Sequence, residues 1–185
     1  MKAKINKVTI LIQQGDTLLQ VADALVHPTN PTLSLSKTLA TVGGEALINA
    51  TNQIGWCDIG DAVVTGGGNL PYQFVIHTVP PKWGEGSERG KLANATWEVL
   101  RLAELNHCRS IVIPPIATGS EGYPLENCAK TMLEQIVDFT FESLRFLRDV
   151  MIYTLLDAEK LVFEAELKRQ LARLDDSGGG YAGAR

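Results

Sequence analysis

The chain has 185 residues, 45% of them hydrophobic and 21% charged, with a formal net charge of −4. That length bounds it to one domain with a sizeable core, and the balance is that of an ordinary globular protein. It has no run of four or more basic residues, which disfavours bulk nucleic acid as a partner but leaves open a small anion held by backbone N–H groups.

Near the N-terminus, Val8-Thr-Ile-Leu-Ile is β-branched and ends at Gln13-Gln14-Gly15-Asp16, predicting one strand over 4–13. The same polar residues cut the apolar run too short for a signal-peptide core. Ala24-Leu-Val-His is a second strand, stopped by Pro28. A helical turn or two over 35–42, with Ser34 or Ser36 as cap, is interrupted by Gly43-Gly44 and resumes over 45–53. A strand over 61–65 turns at Gly66-Gly67-Gly68-Asn69-Leu70-Pro71 into a strand over 74–79. Pro80–Gly90 reads as a polar loop carrying Trp83, and 92–106 repeats apolar residues at helical spacing. A strand over 110–114, a helix over 125–143, a strand over 150–155 and a helix over 157–174 complete the series, with Asp157 as N-cap of the last. The segment 175–185 lacks apolar content and is expected to be a disordered tail to a domain spanning 1–174. No apolar run approaches the roughly 20 residues needed to span a bilayer.

Strands and helices alternate from Ala24 onward, so the fold class is α/β with a largely parallel sheet and helices on both faces. In such sheets ligands bind outside the carboxyl ends of the strands. Gly15-Asp16, His27–Asn30, Ile116–Tyr123 and Leu155–Asp157 all fall there. Cys57, Cys108 and Cys128 are odd in number and widely spaced, which argues against a disulfide framework and a zinc site. A reducing, cytoplasmic setting fits them, and no metal or cofactor is expected.

The loop I-A-T-G-S-E-G-Y-P (116–124) has two glycines between a buried strand and a helix. Such a loop serves either as a backbone cradle for phosphate or as a tight turn with no ligand. It matches neither the Walker loop nor the G-x-G-x-x-G fingerprint. Asp16 can accept from an exocyclic amine or a ribose hydroxyl, or simply cap 17–21. Asn30, set between Pro28 and Pro31, can read a sugar diol or form an Asx turn. His27 and His77 read as satisfied core histidines, and Cys128 as a packed, inert thiol.

The motifs D-A-L-V-H-P-T-N (23–30), N-L-P-Y-Q-F-V-I-H-T-V (69–79) and I-V-I-P-P-I-A-T-G-S-E-G-Y-P (111–124), with Gly15-Asp16, resemble those of macrodomains, the ADP-ribose-binding modules. Order and spacing agree from about Val8 to Leu171. The V-H-P-T-N form looks most like the branch that includes the macrodomain of a core-histone variant. The resemblance implies a three-layer α/β/α sandwich around a mixed, mostly parallel six-stranded sheet. It implies that Asp16 bonds the adenine amine and that Asn30 lies next to the distal ribose. It also implies that Thr118, Gly119, Ser120, Glu121 and Gly122 wrap the diphosphate, followed by Tyr123. Leu156 takes the position where many members stack an aromatic ring on adenine.

The chain departs from the family between Asn30 and Gly43, where no glycine occurs and the connection is about four residues shorter. Close backbone approach to phosphate is restricted there, so the first phosphate loop is expected to be absent. No acid occurs between Asn30 and Glu45, where hydrolytic members place a catalytic group. The expected function is therefore binding of ADP-ribose or a related nucleotide, free or as the ADP-ribosyl group of a modified protein. The alternatives are a hydrolase of ADP-ribose derivatives, with Glu121, Asp16 and His27 as candidate groups, and a ligand-free interaction scaffold.

Overall fold

The computed structural model describes residues 1–176. Seven strands form one sheet: β1 (Lys2–Ile5), β2 (Val8–Gln14), β3 (Ala24–Pro28), β4 (Ala62–Gly66), β5 (Phe74–Thr78), β6 (Ser110–Ile113) and β7 (Asp149–Thr154). Their spatial order is β1-β2-β7-β6-β3-β5-β4. The pairs β2–β7, β7–β6, β6–β3 and β3–β5 are parallel, and the two edge strands β1 and β4 run antiparallel to their neighbours.

The sheet thus has seven strands rather than the expected six. The single strand read over 4–13 is a hairpin: Ile5 pairs with Val8 across Asn6-Lys7. Asn6 takes the left-handed conformation (φ 53°), which asparagine tolerates better than most residues. Its side chain then donates to the Thr140 carbonyl at 3.2 Å, at the end of the third helix.

Four helices cover the sheet: α1 (Lys37–Ile54), α2 (Glu88–Leu105), α3 (Leu125–Phe139) and α4 (Asp157–Asp176). Helices α2, α3 and α4 bury one face around Ile10, Ile12, Val26, Ile76, Ile111 and Ile113. Helix α1 covers part of the other through Leu39 and Leu47, against Leu25, Val75 and Val112. The molecule is therefore the expected three-layer sandwich.

Boundaries differ from expectation in all four helices, and α2 begins at Glu88, inside the stretch read as a polar loop over 80–90. The segments read as two short helices are one, bent at Gly44 (φ 73°), with Ser36 capping it by accepting from the Leu39 N–H at 3.1 Å. Helix α3 stops at Phe139 rather than Ser143, at Thr140, whose carbonyl accepts from the Asn6 side chain of the β1–β2 hairpin and whose hydroxyl donates to the Val137 carbonyl. Asp157 is the first helical residue of α4, not its cap. Glu159 instead accepts from the Leu156 N–H at 3.2 Å, half of a capping box. Asp175 and Asp176 belong to α4, so the tail read over 175–185 begins inside a helix. The rest of that tail lies outside the described residues. None of the described helices is long and apolar enough to cross a membrane.

Candidate functional site

Parallel strands deliver their following loops to one edge of the sheet. Here that edge carries a cleft of two adjoining pockets, of about 500 and 340 Å³. The larger runs from Gly15-Asp16 beneath the end of β2, over His27 and Pro28, to Thr118 and Gly119. The smaller runs on to Asn30, Ser120 and Glu121. Pro28, Pro114, Pro115 and Gly119 border both. The four segments expected at this rim do converge, from β2, β3, β6 and β7.

The loop after β6 is a turn closed by two bonds, Gly122 N–H to the Gly119 carbonyl and Tyr123 N–H to the Ala117 carbonyl, both 3.1 Å. Gly122 is left-handed (φ 65°), a conformation that needs glycine. The N–H groups of Thr118, Gly119, Ser120 and Glu121 have no acceptor among the described residues. A Cβ on Gly119 would meet nothing within 4 Å, so its α-carbon faces open space. Four consecutive unpaired donors beside an open glycine are a backbone array of the kind that can take an anion.

The opposite wall is the start of α1, through Ser36, Thr38 and Leu39. Ser36 satisfies the N–H groups of Leu39 and Ala40, while those of Lys37 and Thr38 have no partner among the described residues. A helix N-terminus of this kind offers N–H donors without needing a glycine. Sequence reading missed this wall, although the Ser36 cap that marks it was legible. Among the described residues, no lysine or arginine lines either pocket.

Asp16 is the N-cap of a 3-10 turn (Thr17–Leu19), accepting from the Leu18 N–H at 2.8 Å through Oδ1. Its Oδ2 has no partner among the described residues, so capping and ligand binding are compatible. The Tyr72 hydroxyl donates to the Thr17 carbonyl and ties this loop to the β4–β5 turn. Asn30 organises its own loop: Oδ1 accepts from the Thr32 hydroxyl (2.9 Å) and the Ser34 N–H (3.2 Å), and Nδ2 donates to the Ser34 hydroxyl (3.1 Å). One amide proton is left for a ligand. Leu33 follows, left-handed (φ 57°) yet only 2% exposed, packed with Cys57 and Val79. Burying that side chain, worth about 1.5–3 kcal/mol, offsets a backbone strain of about 1–3 kcal/mol.

Three residues expected in the site border neither pocket. Gly122 closes the turn through its N–H to the Gly119 carbonyl. Tyr123 is buried, its ring edge-on to Trp83 at 5.0 Å. Leu156 is exposed outside the cleft, and Leu155 and Tyr153 line the cleft instead. Strand alternation ends with β7 at Thr154, so facing could not be read beyond it.

His27 and His77 are register partners on β3 and β5, with their Nδ1 atoms 3.0 Å apart. His77 is fully buried and satisfied, as expected of a core histidine, and its Nε2 lies 2.9 Å from the Thr65 hydroxyl. His27 is not a core residue, because it lines the larger pocket. Burial lowers both pKa values, to about 4 for His27 and about 3 for His77, the latter also disfavoured by a charge on His27. Both are neutral at physiological pH. Cys128 is buried, and burial pushes its thiol up to about 12, in keeping with an inert cysteine.

Comparison with known proteins agrees with this architecture. The Macro domain family model matches residues 26–132. A protein of Salmonella typhimurium named O-acetyl-ADP-ribose deacetylase is 38% identical over 136 residues, covering 68% of this chain and 76% of that protein. A macro domain-containing protein of Caldanaerobacter subterraneus is 33% identical over 172 residues, covering 83% and 95%. Among solved structures, a glycine-to-valine mutant of the Oceanobacillus iheyensis macrodomain with ADPR superposes with a TM-score of 0.86 at 26% identity. That match covers 93% of this chain and 98% of the other. The Trypanosoma brucei macrodomain in complex with ADP gives 0.78 at 25% identity, covering 85% and 68%.

Proposed function

The chain belongs to the Macro domain family, and from that premise we propose that its cleft binds ADP-ribose or a related nucleotide, free or attached to a protein. One observation carries this reading. Unpaired backbone N–H groups of Thr118–Glu121 and of Thr38 border a cleft that also carries an Asp16 carboxylate oxygen without a partner among the described residues and the amide of Asn30. Asp16 accepts from the adenine amine, the two N–H sets hold the diphosphate, and Asn30 meets the distal ribose. Gly119, Ser120, Glu121 and Gly122 shape the phosphate side. Tyr123 supports that loop from beneath. Leu155 and Tyr153, rather than Leu156, border the base. The V-H-P-T-N form sets the chain, on our reading, nearest the branch that contains the macrodomain of a core-histone variant.

The decisive test is thermal unfolding with and without ADP-ribose. Ligand that binds only the folded state raises the melting temperature by linkage. Asp16→Ala and Gly119→Glu are each expected to abolish the rise. No rise at millimolar ADP-ribose in the unaltered protein rejects the reading.

A second reading, hydrolysis of ADP-ribose derivatives, is favoured by one observation. Glu121 stands in the smaller pocket, and among the described residues only one of its oxygens is engaged, by the Ser120 hydroxyl at 2.9 Å. A carboxylate placed there is positioned to activate water. Release of acetate from O-acetyl-ADP-ribose, lost on Glu121→Gln while binding persists, is the expected signature. Unchanged turnover in that variant removes Glu121 from the reaction.

A further inference from the structure

The histidine pair has one proton order that satisfies all of its contacts. The Thr65 hydroxyl has one hydrogen and stands 3.0 Å from the Gly66 carbonyl, which can only accept, and 2.9 Å from His77 Nε2, which accepts or donates with its tautomer. Both contacts are hydrogen bonds at once only when the hydroxyl donates to the carbonyl and accepts from His77, which puts the single imidazole proton of neutral His77 on Nε2. His77 Nδ1 is then an acceptor, and the 3.0 Å contact requires a proton on His27 Nδ1. A neutral His27 consequently carries a lone pair on Nε2. That atom has no protein partner, and no buried side-chain polar atom among the described residues lacks one. His27 Nε2 is thus solvent-accessible, and His27 lines the larger pocket.

We propose that His27 is a specificity-determining residue whose Nε2 accepts a hydrogen bond from a ribose hydroxyl of the bound nucleotide; this rests on the nucleotide-binding reading above. The chemistry singles out a hydroxyl. A phosphate oxygen brings no proton at neutral pH and is repelled by a lone pair. The walls on either side offer N–H donors, which suit phosphate and compete poorly for a hydroxyl proton. With a pKa near 4 the imidazole is too weak a base for efficient proton abstraction at neutral pH, but it remains an acceptor. The chain from Gly66 through Thr65 and His77 also fixes the ring, so the lone pair keeps one direction. His27 therefore reads the sugar while the backbone reads the charge.

The ribose is either that of the nucleoside or the terminal one, and the two are separable. Calorimetric titrations would compare ADP, 2′-deoxy-ADP, 3′-deoxy-ADP and ADP-ribose on the unaltered chain and on His27→Asn. Asparagine keeps an N–H close to the position of Nδ1, facing His77, and removes the outward acceptor. The expected result is a preference of about fivefold to tenfold for one hydroxyl-bearing ligand, lost in the variant while the ligand lacking that hydroxyl keeps its affinity within about twofold. Loss of a ribose-over-deoxyribose preference identifies the nucleoside ribose. Loss of the ADP-ribose-over-ADP preference identifies the terminal one. A uniform weakening of all four ligands, or no change, overturns the proposal and leaves nucleotide binding intact. Failure of every ligand to bind the unaltered chain overturns both. Should His27→Asn not fold, ¹⁵N imidazole spectra of the unaltered protein decide. His27 Nε2 is expected to resonate as an unprotonated nitrogen and to shift on saturation with ADP-ribose; a protonated or unshifted Nε2 overturns the assignment.

Discussion

Glu104 shows how a single carboxylate holds a loop that no regular element supports. It accepts from the N–H groups of Arg145 (2.6 Å), Phe146 (3.1 Å) and Leu147 (2.8 Å), just before β7. Burial works to raise its pKa, but the donors of Leu147, Arg145 and Phe146 prevail and hold it below the ordinary glutamate range. A depressed folded-state pKa contributes stability above the unfolded value and loses it as pH falls through the folded one. Glu104→Gln is therefore expected to cost about 1 kcal/mol at pH 7, allowing for partial exposure. It should also flatten the loss of stability below about pH 4.5. Urea unfolding at pH 7 and pH 4 checks both. Nothing in the sequence marked Glu104, because its partners are backbone groups some forty residues away. Asp16 and Asn30 were legible, since their capping and turn roles are local and share the side-chain atoms that a ligand uses.

At the scale of elements, the β4–β5 turn supports the cleft without lining it. Gly67 lies so close to the partner strand that a Cβ would stand 1.8 Å from the Tyr72 carbonyl oxygen. Tyr72 in turn holds the Asp16 loop through Thr17. Gly67→Ala is expected to destabilise the fold by about 2–3 kcal/mol, as overpacking does. It should also weaken nucleotide binding, because the Tyr72 hydroxyl moves. Tyr72→Phe should show the second effect with less of the first. Parallel measurement of melting temperature and ligand affinity separates them. The strands and helices were mostly legible, because buried parallel strands are short apolar runs and the helices repeat at 3.6 residues. The hairpin at Asn6 was not, since Asn-Lys gives a weaker turn signal than Asn-Gly. The end of α3 at Thr140 was also hidden, because it depends on Asn6, 134 residues away.

For the molecule as a whole, net charge and site chemistry point in opposite directions. The chain carries −4 overall, and its cleft is lined by Asp16, Glu121 and Glu159 with no lysine or arginine among the described residues. An anionic ligand approaches against a repulsive field and is held by N–H dipoles at short range. Salt screens the long-range term and barely touches the short one. Affinity for ADP-ribose is therefore expected to stay level or rise by up to about twofold between low and moderately high sodium chloride. Titration at two salt concentrations checks this; a several-fold loss would reveal a cationic contact that the cleft geometry lacks. The donor wall at α1 could not be read from composition, because it consists of backbone groups exposed by the position of a cap. Convergence of distant loops on one rim could be read, because parallel topology dictates it.

Leu33 has a consequence in time as well as in shape. Its buried side chain, the prolines at 28 and 31 and the three Asn30 bonds pin the distal wall of the cleft. A wall held this way is expected to move little when a nucleotide binds, so that association needs no opening step on this side of the cleft. At an ordinary association rate of about 10⁶ M⁻¹s⁻¹, a micromolar ligand leaves within about a second. Stopped-flow release of ADP-ribose, read against its affinity, checks this: an association rate far below that figure would show that the wall has to open.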